Sequence, residues 1–590
     1  MEDTESDLRA RAEQWAREDP DPGTRGELLA LLSAPDLSKT DLADRFASAL
    51  EFGTAGLRGI LGAGPNRMNR AVVRRTACGL AEELNGSGTA GAERSVIVGY
   101  DGRRFSREFA LDTALVLAAK WMIARLFSRT VPTPLVAYAV THFGAAAGVM
   151  VTASHNPAEY NGYKVYGANG AQIVTPFDER LAARVAEGPA AVDVPLQEEA
   201  DARSKGLLLD VSSDVETRYL EAIGGLAVNR GGDRSSRIVY TALHGVGDAL
   251  ARRALENAGF SSVVTVPEQS EPDATFPTVP FPNPEEKGAM DLAIALAEKE
   301  GAKLVLANDP DADRVAVAVP RRASAGYVQL TGNQVGVLLG HYLLTERATH
   351  AGEHRVVMTT IASSPMLSAI ARALGVHYEE TLTGFKWIAN RAVELERAGE
   401  AFVFGYEEAL GYAVGNIVRD KDGISAAAMI AEMFAVLAAR GRTLLAEIEA
   451  IYRRYGLFVS TQINLTKHGA EGRAEIRAWM DRLRSRPPSR VGDYEVEAWY
   501  DYQAQVRASR DGQRTPLSLP KSNVVAFALA GGGRIVARPS GTEPKVKFYF
   551  DVYEAVARDE PMADAELRAE TAVKRLADAF VDMTARRSRR

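Results

Sequence analysis

The sequence predicts an α/β protein of several domains that closes on a smaller α+β domain, and three observations carry that prediction. Its 590 residues exceed what one hydrophobic core supports, and at roughly 150 residues per domain the chain holds about four. Apolar strand patterns alternate with helical stretches along most of the chain, the mark of βα units and a mainly parallel sheet. The last part then turns to short strand patterns.

In chain order, Leu8, Ala12, Trp15, Leu28, Leu29 and Leu32 stand among charges and read as a short helical extension. A strand is expected over Ser95 to Tyr100 and a helix over Ser106 to Leu126. The apolar run Ala147-Gly148-Val149-Met150-Val151 reads as a buried strand, as do Arg237 to Ala242 and Lys303 to Ala307. From Val328 a third unit has strands at Arg355 to Thr360 and Ala401 to Phe404 and an alanine-rich helix from Ser425. Phe458 to Leu465, Val524 to Leu529, Arg534 to Ala537 and Val546 to Val552 are the closing strands, with Gly531-Gly532-Gly533 as a turn. Pro267 to Gly288 and Asn85 to Gly91 read as surface loops.

Composition narrows the class. A hydrophobic content of 46% and a charged content of 25% are those of an ordinary globular protein. The net charge of -7 argues against a nucleic-acid binder, and the basic cluster Arg586-Arg587-Ser588-Arg589-Arg590 reads as a solvated terminus. Cys78 is the single cysteine, which excludes an intrachain disulfide and suits a reducing compartment. The acidic N-terminus lacks a signal-peptide core, and the apolar stretch from Ala426 to Ala439 is interrupted by Glu432 and too short to span a bilayer. A cytoplasmic protein with no nucleic-acid or membrane partner is expected.

Four loops carry the chemistry. Thr152-Ala153-Ser154-His155-Asn156-Pro157 follows an apolar strand, so Ser154 is delivered to the carboxyl end of a sheet, where open α/β folds place ligands. An exposed serine there is a candidate phosphate carrier. His155 adjoins it, but neighbouring residues rarely face each other, so His155 is expected to orient the loop rather than act as a general base.

Asn308-Asp309-Pro310-Asp311-Ala312-Asp313-Arg314 follows the next strand with carboxylates at alternate positions. Oxygen ligands of this kind select a hard cation, and beside a phosphate that is Mg²⁺. A calcium loop starting at Asp309 would need glycine at its sixth place and glutamate at its twelfth, where Arg314 and Pro320 stand. A solvated turn is the plainer reading, yet three aspartates after a buried strand are costly without a compensating cation. Arg314 offers planar phosphate contact at the same place.

Gly405-Tyr406-Glu407-Glu408-Ala409-Leu410-Gly411-Tyr412 puts carboxylates at a further strand end, where they can accept hydrogen bonds from sugar hydroxyls. Arg538-Pro539-Ser540-Gly541-Thr542-Glu543-Pro544-Lys545 combines a guanidinium, two hydroxyls and a glycine, the parts of an anion nest. Arg58, in Gly53-Thr54-Ala55-Gly56-Leu57-Arg58-Gly59, and Lys164, in Asn161-Gly162-Tyr163-Lys164, add cations that offset phosphate charge.

These four loops, in this order and spacing, resemble the α-D-phosphohexomutase superfamily over nearly the whole chain. The resemblance implies three related mixed α/β domains plus a C-terminal α+β domain around a central active-site cleft. The implied divisions are 1–212, the helical extension with the phosphoserine domain; 213–328, metal-binding; 329–456, sugar-binding; and 457–590, binding the second phosphate. It implies that Ser154 is the phosphoserine, that Asp309, Asp311 and Asp313 share Mg²⁺ with its phosphate, and that Arg58 and Lys164 flank the transferring group. Thr383, Gly384 and Lys386, in Thr383-Gly384-Phe385-Lys386-Trp387, match the loop that distinguishes sugar orientations. Glu407 matches the hydroxyl-binding glutamate, Lys421 a lysine of the phosphoglucomutase branch, and Arg538, Ser540, Gly541 and Thr542 the site of the nonreacting phosphate.

One departure stands out: Ala409 occupies a place where many members carry serine, two residues after Glu407. With the N-terminal extension, it draws the chain toward the second-type phosphoglucomutase branch, which includes phosphopentomutases and a glucose-1,6-bisphosphate synthase. The expected activity is interconversion of hexose 1- and 6-phosphates, glucose or mannose, through a sugar 1,6-bisphosphate, by a monomer or homodimer. A phosphopentomutase or a bisphosphate synthase is the alternative. A metal-dependent phosphohydrolase with an aspartate nucleophile leaves the serine and Arg538 loops unexplained.

Overall fold

A computed structural model of the chain describes residues 5–34, 39–53, 56–86, 93–321, 325–467, 469–540 and 545–586. The described chain divides into two units. One comprises Met1–Thr331, Phe385–Ala398 and Ala409–Ala439; the other comprises Gly332–Gly384, Gly399–Glu408 and Arg440–Arg590.

The first unit opens with helices Glu5–Glu18, Pro22–Ser33 and Lys39–Phe46. Asp21 caps the second, accepting from the Gly23 amide at 2.8 Å with Pro22 just inside, the expected start chemistry. Leu8, Ala12, Ala16, Leu28, Leu32, Leu42 and Phe46 close into a core of their own with Ala63 from the following segment.

Beyond them lies a six-stranded sheet in the order Leu57–Ile60, Tyr160–Gly167, Ala145–Val151, Glu93–Tyr100, Ile123–Leu126, Leu208–Asp210. The last four are parallel, and the first two run antiparallel to their neighbours. The serine strand Ala145–Val151 is buried along its whole length, as its uninterrupted apolar run requires. The helix expected over Ser106 to Leu126 stops at Ala119, where Trp121 takes a left-handed φ of 61°. Ile123–Leu126 then forms a strand with alternate residues buried; the apolar content of the run concealed the change of period from 3.6 to 2.

The second sheet runs Tyr327–Gln329, Val315–Pro320, Leu304–Asn308, Ile238–Thr241, Val263–Thr265. It is mixed, because Leu304–Asn308 and Val315–Pro320 form an antiparallel hairpin with Val315 opposite Asn308. The aspartate loop is the tip of that hairpin. The stretch from Pro267 to Gly288 is more than a surface loop: Phe276 and Val279 are buried against Leu243 and Ala289. Asn85 and Gly86 end the helix Arg70–Gly86, and 87–92 lie outside the described residues. Helix Gly423–Ala439 is almost wholly buried, with Glu432 accepting from the amides of Val228 and Asn229.

In the second unit, parallel strands His377–Thr381, His354–Thr360 and Glu400–Glu407 lie side by side, with helices Gly332–Glu346, Met366–Leu374 and Leu444–Tyr455. The C-terminal sheet is antiparallel, in the order Leu457–Thr466, Lys545–Glu554, Arg534–Pro539, Val525–Leu529, Tyr494–Asp501, Val506–Ser509, Arg514–Pro516. Sequence patterns revealed the first four of these strands. The glycine turn is present, with the Leu529 amide donating to Gly533 and left-handed φ at Gly531 and Gly532. Among the described residues, no single helix is long and apolar enough to cross a membrane.

Candidate active site

The serine loop leaves its strand through a tight turn. The Ser154 amide donates to Thr152 Oγ1 at 2.8 Å, and Ser154 takes a left-handed φ of 52°. That turn brings the Ser154 hydroxyl to Asp309 Oδ2 at 2.7 Å and lets the His155 ring fold back, with Nδ1 3.1 Å from the same hydroxyl. The expectation that neighbouring residues turn apart therefore fails here, for the reason that Ser154 leaves the extended backbone. Burial, reinforced by Arg314 and Arg58, holds the His155 imidazole well below its ordinary pKa, so it is neutral at neutral pH.

The aspartate hairpin is the anionic half. Asp309, Asp311 and Asp313 are buried, and each offers an oxygen within 4.8 Å of the others. The hairpin tip is shaped by Ala312, at φ 55°, whose amide donates to the Asp309 carbonyl, while Asp309 Oδ1 accepts from the Arg314 amide at 3.0 Å. Lys164 comes from the strand beside the serine strand, opposite Met150. Its ammonium donates to Asp311 Oδ2 and Asp313 Oδ2, both at 2.7 Å. Thr133 Oγ1 donates to Asp311 Oδ2 at 2.6 Å, and Lys421 Nζ stands 3.3 Å from Asp313 Oδ2. Arg314 Nε lies 3.9 Å from Asp309 Oδ2 and from Asp313 Oδ1.

Burial alone would push all three carboxyls up. At Asp309 burial and its two acidic neighbours prevail, and the pKa is raised well above the usual range. At Asp311 burial and Asp313 are outweighed by Lys164, and at Asp313 Lys164, Lys421 and Arg314 together outweigh burial, so both are held low. Asp311 Oδ1 and Asp313 Oδ1 are buried with no hydrogen-bond partner. Two orphaned carboxylate oxygens beside a third carboxylate are the donor set of a hard divalent cation, so the residues fit one.

Arg58 is half-buried and donates to Asn156 Oδ1 at 2.8 Å; burial and the nearby Arg314 lower its pKa to about 10. The structure thus brings together Ser154, His155, Arg58, Lys164, the three aspartates, Arg314 and Lys421. Lys386 goes elsewhere in this unit: its ammonium stands 3.3 Å from Asp178 Oδ2, beside a small pocket that Phe52, Gln172 and Ile173 also line.

In the second unit the Gly384 amide donates to Glu407 Oε1 at 2.7 Å, with Gly384 at φ 110°, and Thr383 is buried beside it in sequence. Glu408 is held by the hydroxyls of Ser363 and Thr360 at 3.0 and 3.4 Å. Ala409, in the first unit, is half-buried. In the C-terminal sheet Arg538 lies opposite Lys547, and the Ser540 amide donates to the Lys545 carbonyl at 2.7 Å. Gly541 and Thr542 lie outside the described residues, as do Thr54 and Ala55.

Three side chains at the site were not anticipated. Thr133 opens a helix whose only sequence signal is Pro132-Thr133-Pro134. Asp420 accepts from Tyr166 Oη at 2.9 Å, Gln172 Nε2 at 2.7 Å and the Lys421 amide at 2.8 Å, tying Lys421 to the strand that carries Lys164. Arg103 grips the serine loop from beneath.

Four models of one family match in order. They are described as phosphoglucomutase/phosphomannomutase alpha/beta/alpha domains I, II and III, over residues 49–191, 217–323 and 331–455, and the C-terminal domain over 501–582. A Haemophilus influenzae protein named "Probable phosphomannomutase" is 42% identical, the match covering 82% of this chain and 93% of that protein. The human phosphopentomutase is 36% identical over 93% of this chain and 92% of its own. The human glucose 1,6-bisphosphate synthase is 35% identical over 96% and 93%. A crystal structure of a phosphoglucomutase/phosphomannomutase family protein from Burkholderia thailandensis shares the fold, with a TM-score of 0.64 at 20% identity, over 90% of this chain and 96% of that one. The chain belongs to the phosphoglucomutase/phosphomannomutase family. It is accordingly an isomerase of the phosphosugar-mutase kind, an intramolecular phosphotransferase.

Proposed function

We propose that the protein interconverts the 1-phosphate and 6-phosphate of a hexose, glucose or mannose or both, with Ser154 as the phosphate carrier and a sugar 1,6-bisphosphate as intermediate. The observation that carries this reading is the Ser154 hydroxyl 2.7 Å from Asp309, at the edge of a buried three-carboxylate cluster. In the first half-reaction the bond from phosphorus to Ser154 Oγ breaks and a bond to the sugar's free hydroxyl forms, that hydroxyl losing a proton and the departing Ser154 Oγ gaining one. In the second, the other phosphate of the bisphosphate returns to Ser154 Oγ, and the departing sugar oxygen regains a proton.

Asp309, Asp311 and Asp313 would hold Mg²⁺ together with an oxygen of the serine phosphate, and the bound ion supplies charge neutralisation at the transferring oxygens. Lys164 fixes two of those carboxylates and balances their charge. Arg58 and Arg314 present fixed positive charge to the phosphoryl oxygens. Neutral His155 holds the serine hydroxyl by a hydrogen bond, an orienting part. Glu407, set by the Gly384 amide, is assigned to sugar hydroxyls, and Thr383 and Lys421 to the same substrate; Lys386, paired with Asp178, is assigned to it once that ion pair opens. Arg538, Ser540, Gly541 and Thr542 are assigned to the nonreacting phosphate. The domain divisions at 212, 328 and 456 and a cytoplasmic setting, as monomer or homodimer, complete the proposal.

A pentose substrate is the second reading. It is favoured by the likeness to phosphopentomutases along almost the whole chain and by Ala409, which removes a hydroxyl two residues after Glu407.

The test is isomerisation of glucose 1-phosphate, mannose 1-phosphate and ribose 1-phosphate in parallel with Mg²⁺, each primed with its bisphosphate and ranked by kcat/KM. Preference for a hexose supports the first reading and preference for ribose 1-phosphate the second. Ser154→Ala is expected to lose at least about 1,000-fold in kcat on every sugar, since it deletes the nucleophile. Full turnover in that variant, or phosphate release without isomerisation, would sink both readings.

A further inference from the structure

We infer that Arg103 is a positioning residue for Ser154: a buried guanidinium that fixes the reactive turn by gripping its backbone carbonyls. The inference rests on Ser154 as the phosphate carrier. Arg103 follows the strand Glu93–Tyr100, neighbour of the serine strand, and is 4% exposed. Nη2 donates to the Ser154 carbonyl at 2.6 Å and to the Asn156 carbonyl, and Nη1 donates to the carbonyls of Pro157 at 2.8 Å and Tyr160 at 3.2 Å. Both terminal nitrogens thus serve a single loop. A planar fork of N–H groups spans four carbonyls in this way, whereas an ammonium, a point with three donors, does not.

The loop needs such a grip. A left-handed residue other than glycine costs on the order of 1 kcal/mol, and strained backbone persists only where its surroundings over-determine it. Ser154, at φ 52°, is that residue, and the strain is what turns its hydroxyl toward Asp309. The same loop supplies Asn156 Oδ1 to Arg58, so one grip orders both the nucleophile and a cation above it.

Arg103 is in turn held by Asp101 and Phe276. Nε lies 3.4 Å from Asp101 Oδ2, and Asp101 Oδ1 accepts from Ser106 Oγ at 2.7 Å and from the Arg103 amide at 3.0 Å. The guanidinium carbon sits 4.9 Å from the Phe276 ring centroid, a cation–π contact on one face. Among the described residues Arg103 makes no hydrogen bond to the aspartate hairpin, which it reaches through its charge and through Ser154. Loss of the grip should therefore slow phosphoryl transfer first, the three aspartates that would hold the metal keeping their own places.

The experiment follows Ser154 phosphorylation in the full-length protein on mixing with glucose 1,6-bisphosphate and Mg²⁺, by rapid quench and intact mass, beside steady-state kcat, KM and Tm. For Arg103→Lys, phosphate uptake and kcat are expected to fall about 100-fold, the order that roughly 1 Å of misplacement costs. KM should stay within about threefold and Tm within a few degrees. Asp101→Asn, which keeps the fork and loosens its anchor, should lose about 10-fold, and it carries the test if Arg103→Lys does not fold.

Uptake within threefold of the parent in the folded Lys variant overturns the inference, as it does in the Asn variant where that variant carries the test. A loss of kcat that merely tracks a loss of folded protein at the assay temperature overturns it too. A parent that isomerises sugar with no phosphate ever on Ser154 overturns the mutase reading and this inference together, whereas a phosphorylated parent matched by the variant removes only Arg103.

Discussion

Thr133 hydrogen-bonds Asp311 through its hydroxyl and, through its amide, the Asp311 carbonyl at 2.9 Å. Outer partners of this kind orient a ligand, and their loss costs ten- to a hundredfold in metal affinity. Thr133→Val should therefore raise the half-saturating Mg²⁺ concentration about tenfold, with kcat at saturating Mg²⁺ within about twofold of the parent; an unchanged Mg²⁺ titration would refute the assignment. His341 supports a prediction of a different sort. Burial, with Arg454 and Arg442, lowers its pKa to about 4, and Arg442, 2.9 Å from Glu447, offsets the carboxylate 3.6 Å from the imidazole. The unfolded chain takes up that proton near pH 6.5 while the folded one refuses it down to about 4, so stability falls as pH drops through that window, by at most about 3 kcal/mol. Denaturation midpoints at pH 7 and pH 4.5 should separate less in His341→Gln than in the parent, and an equal separation would exclude His341 as a source. Ser154 and the aspartates were readable as candidates because each sits in a short run whose chemistry is unusual after an apolar strand. Arg103, Thr133 and Asp420 were not, because their partners lie 51, 178 and 254 residues away, and nothing local distinguishes them from a loop arginine, a helix cap or a surface acid.

At the scale of the element, the aspartate hairpin is shaped by backbones pressed against it. A methyl group on Gly245 would stand 2.3 Å from the Pro310 Cα, and one on Gly423 would stand 2.3 Å from the Arg314 carbonyl oxygen and 2.5 Å from Asn308 Nδ2. Pro310 Cα and the Arg314 carbonyl are backbone atoms, so the hairpin itself has to shift. Gly245→Ala is expected to cost about 1–3 kcal/mol of stability and to raise the Mg²⁺ requirement with it, read from a denaturation curve and a Mg²⁺ titration on the same preparation. A variant that binds Mg²⁺ as the parent does would show that the hairpin tolerates the displacement. Neither glycine is legible as a contact in the sequence, since Gly245 meets a residue 65 positions away and Gly423 one 109 positions away. Strands were legible where burial on both faces left long apolar runs, as at Ala145–Val151 and Leu304–Asn308. The boundary at Ala119 was lost because Ile123–Leu126 is as apolar as the helix before it. Tyr494–Asp501 was lost for the opposite reason: exposed charges at Glu495 and Glu497 interrupt its apolar positions and disguise the alternation.

For the whole molecule, length and the alternation of strands and helices led to four domains, and four family models lie along the chain in that order. The N-terminal helices precede the first of them and keep a separate core, in which Leu28 is fully buried. Leu28→Ala should cost that core about 2–5 kcal/mol. Limited proteolysis is the check: cleavage within residues 5–46 should accelerate in the variant while sites beyond residue 57 are cut as in the parent, and unchanged cleavage would mean that the helices draw their stability from elsewhere. The division of the chain into its two units bears on the order of synthesis. The first unit lacks Phe385–Ala398 and Ala409–Ala439 until long after Thr331 has been made, and the second begins at Gly332 and ends with the C-terminal helix. On the ribosome, then, the strand ends bearing Ser154 and the aspartates emerge early but wait for Lys421 and the helix behind it. The first unit can close once Ala439 has emerged, while Arg440–Arg590 is still to follow, whereas the second is complete only with its last helix, so the half bearing Ser154 can mature before the other is finished.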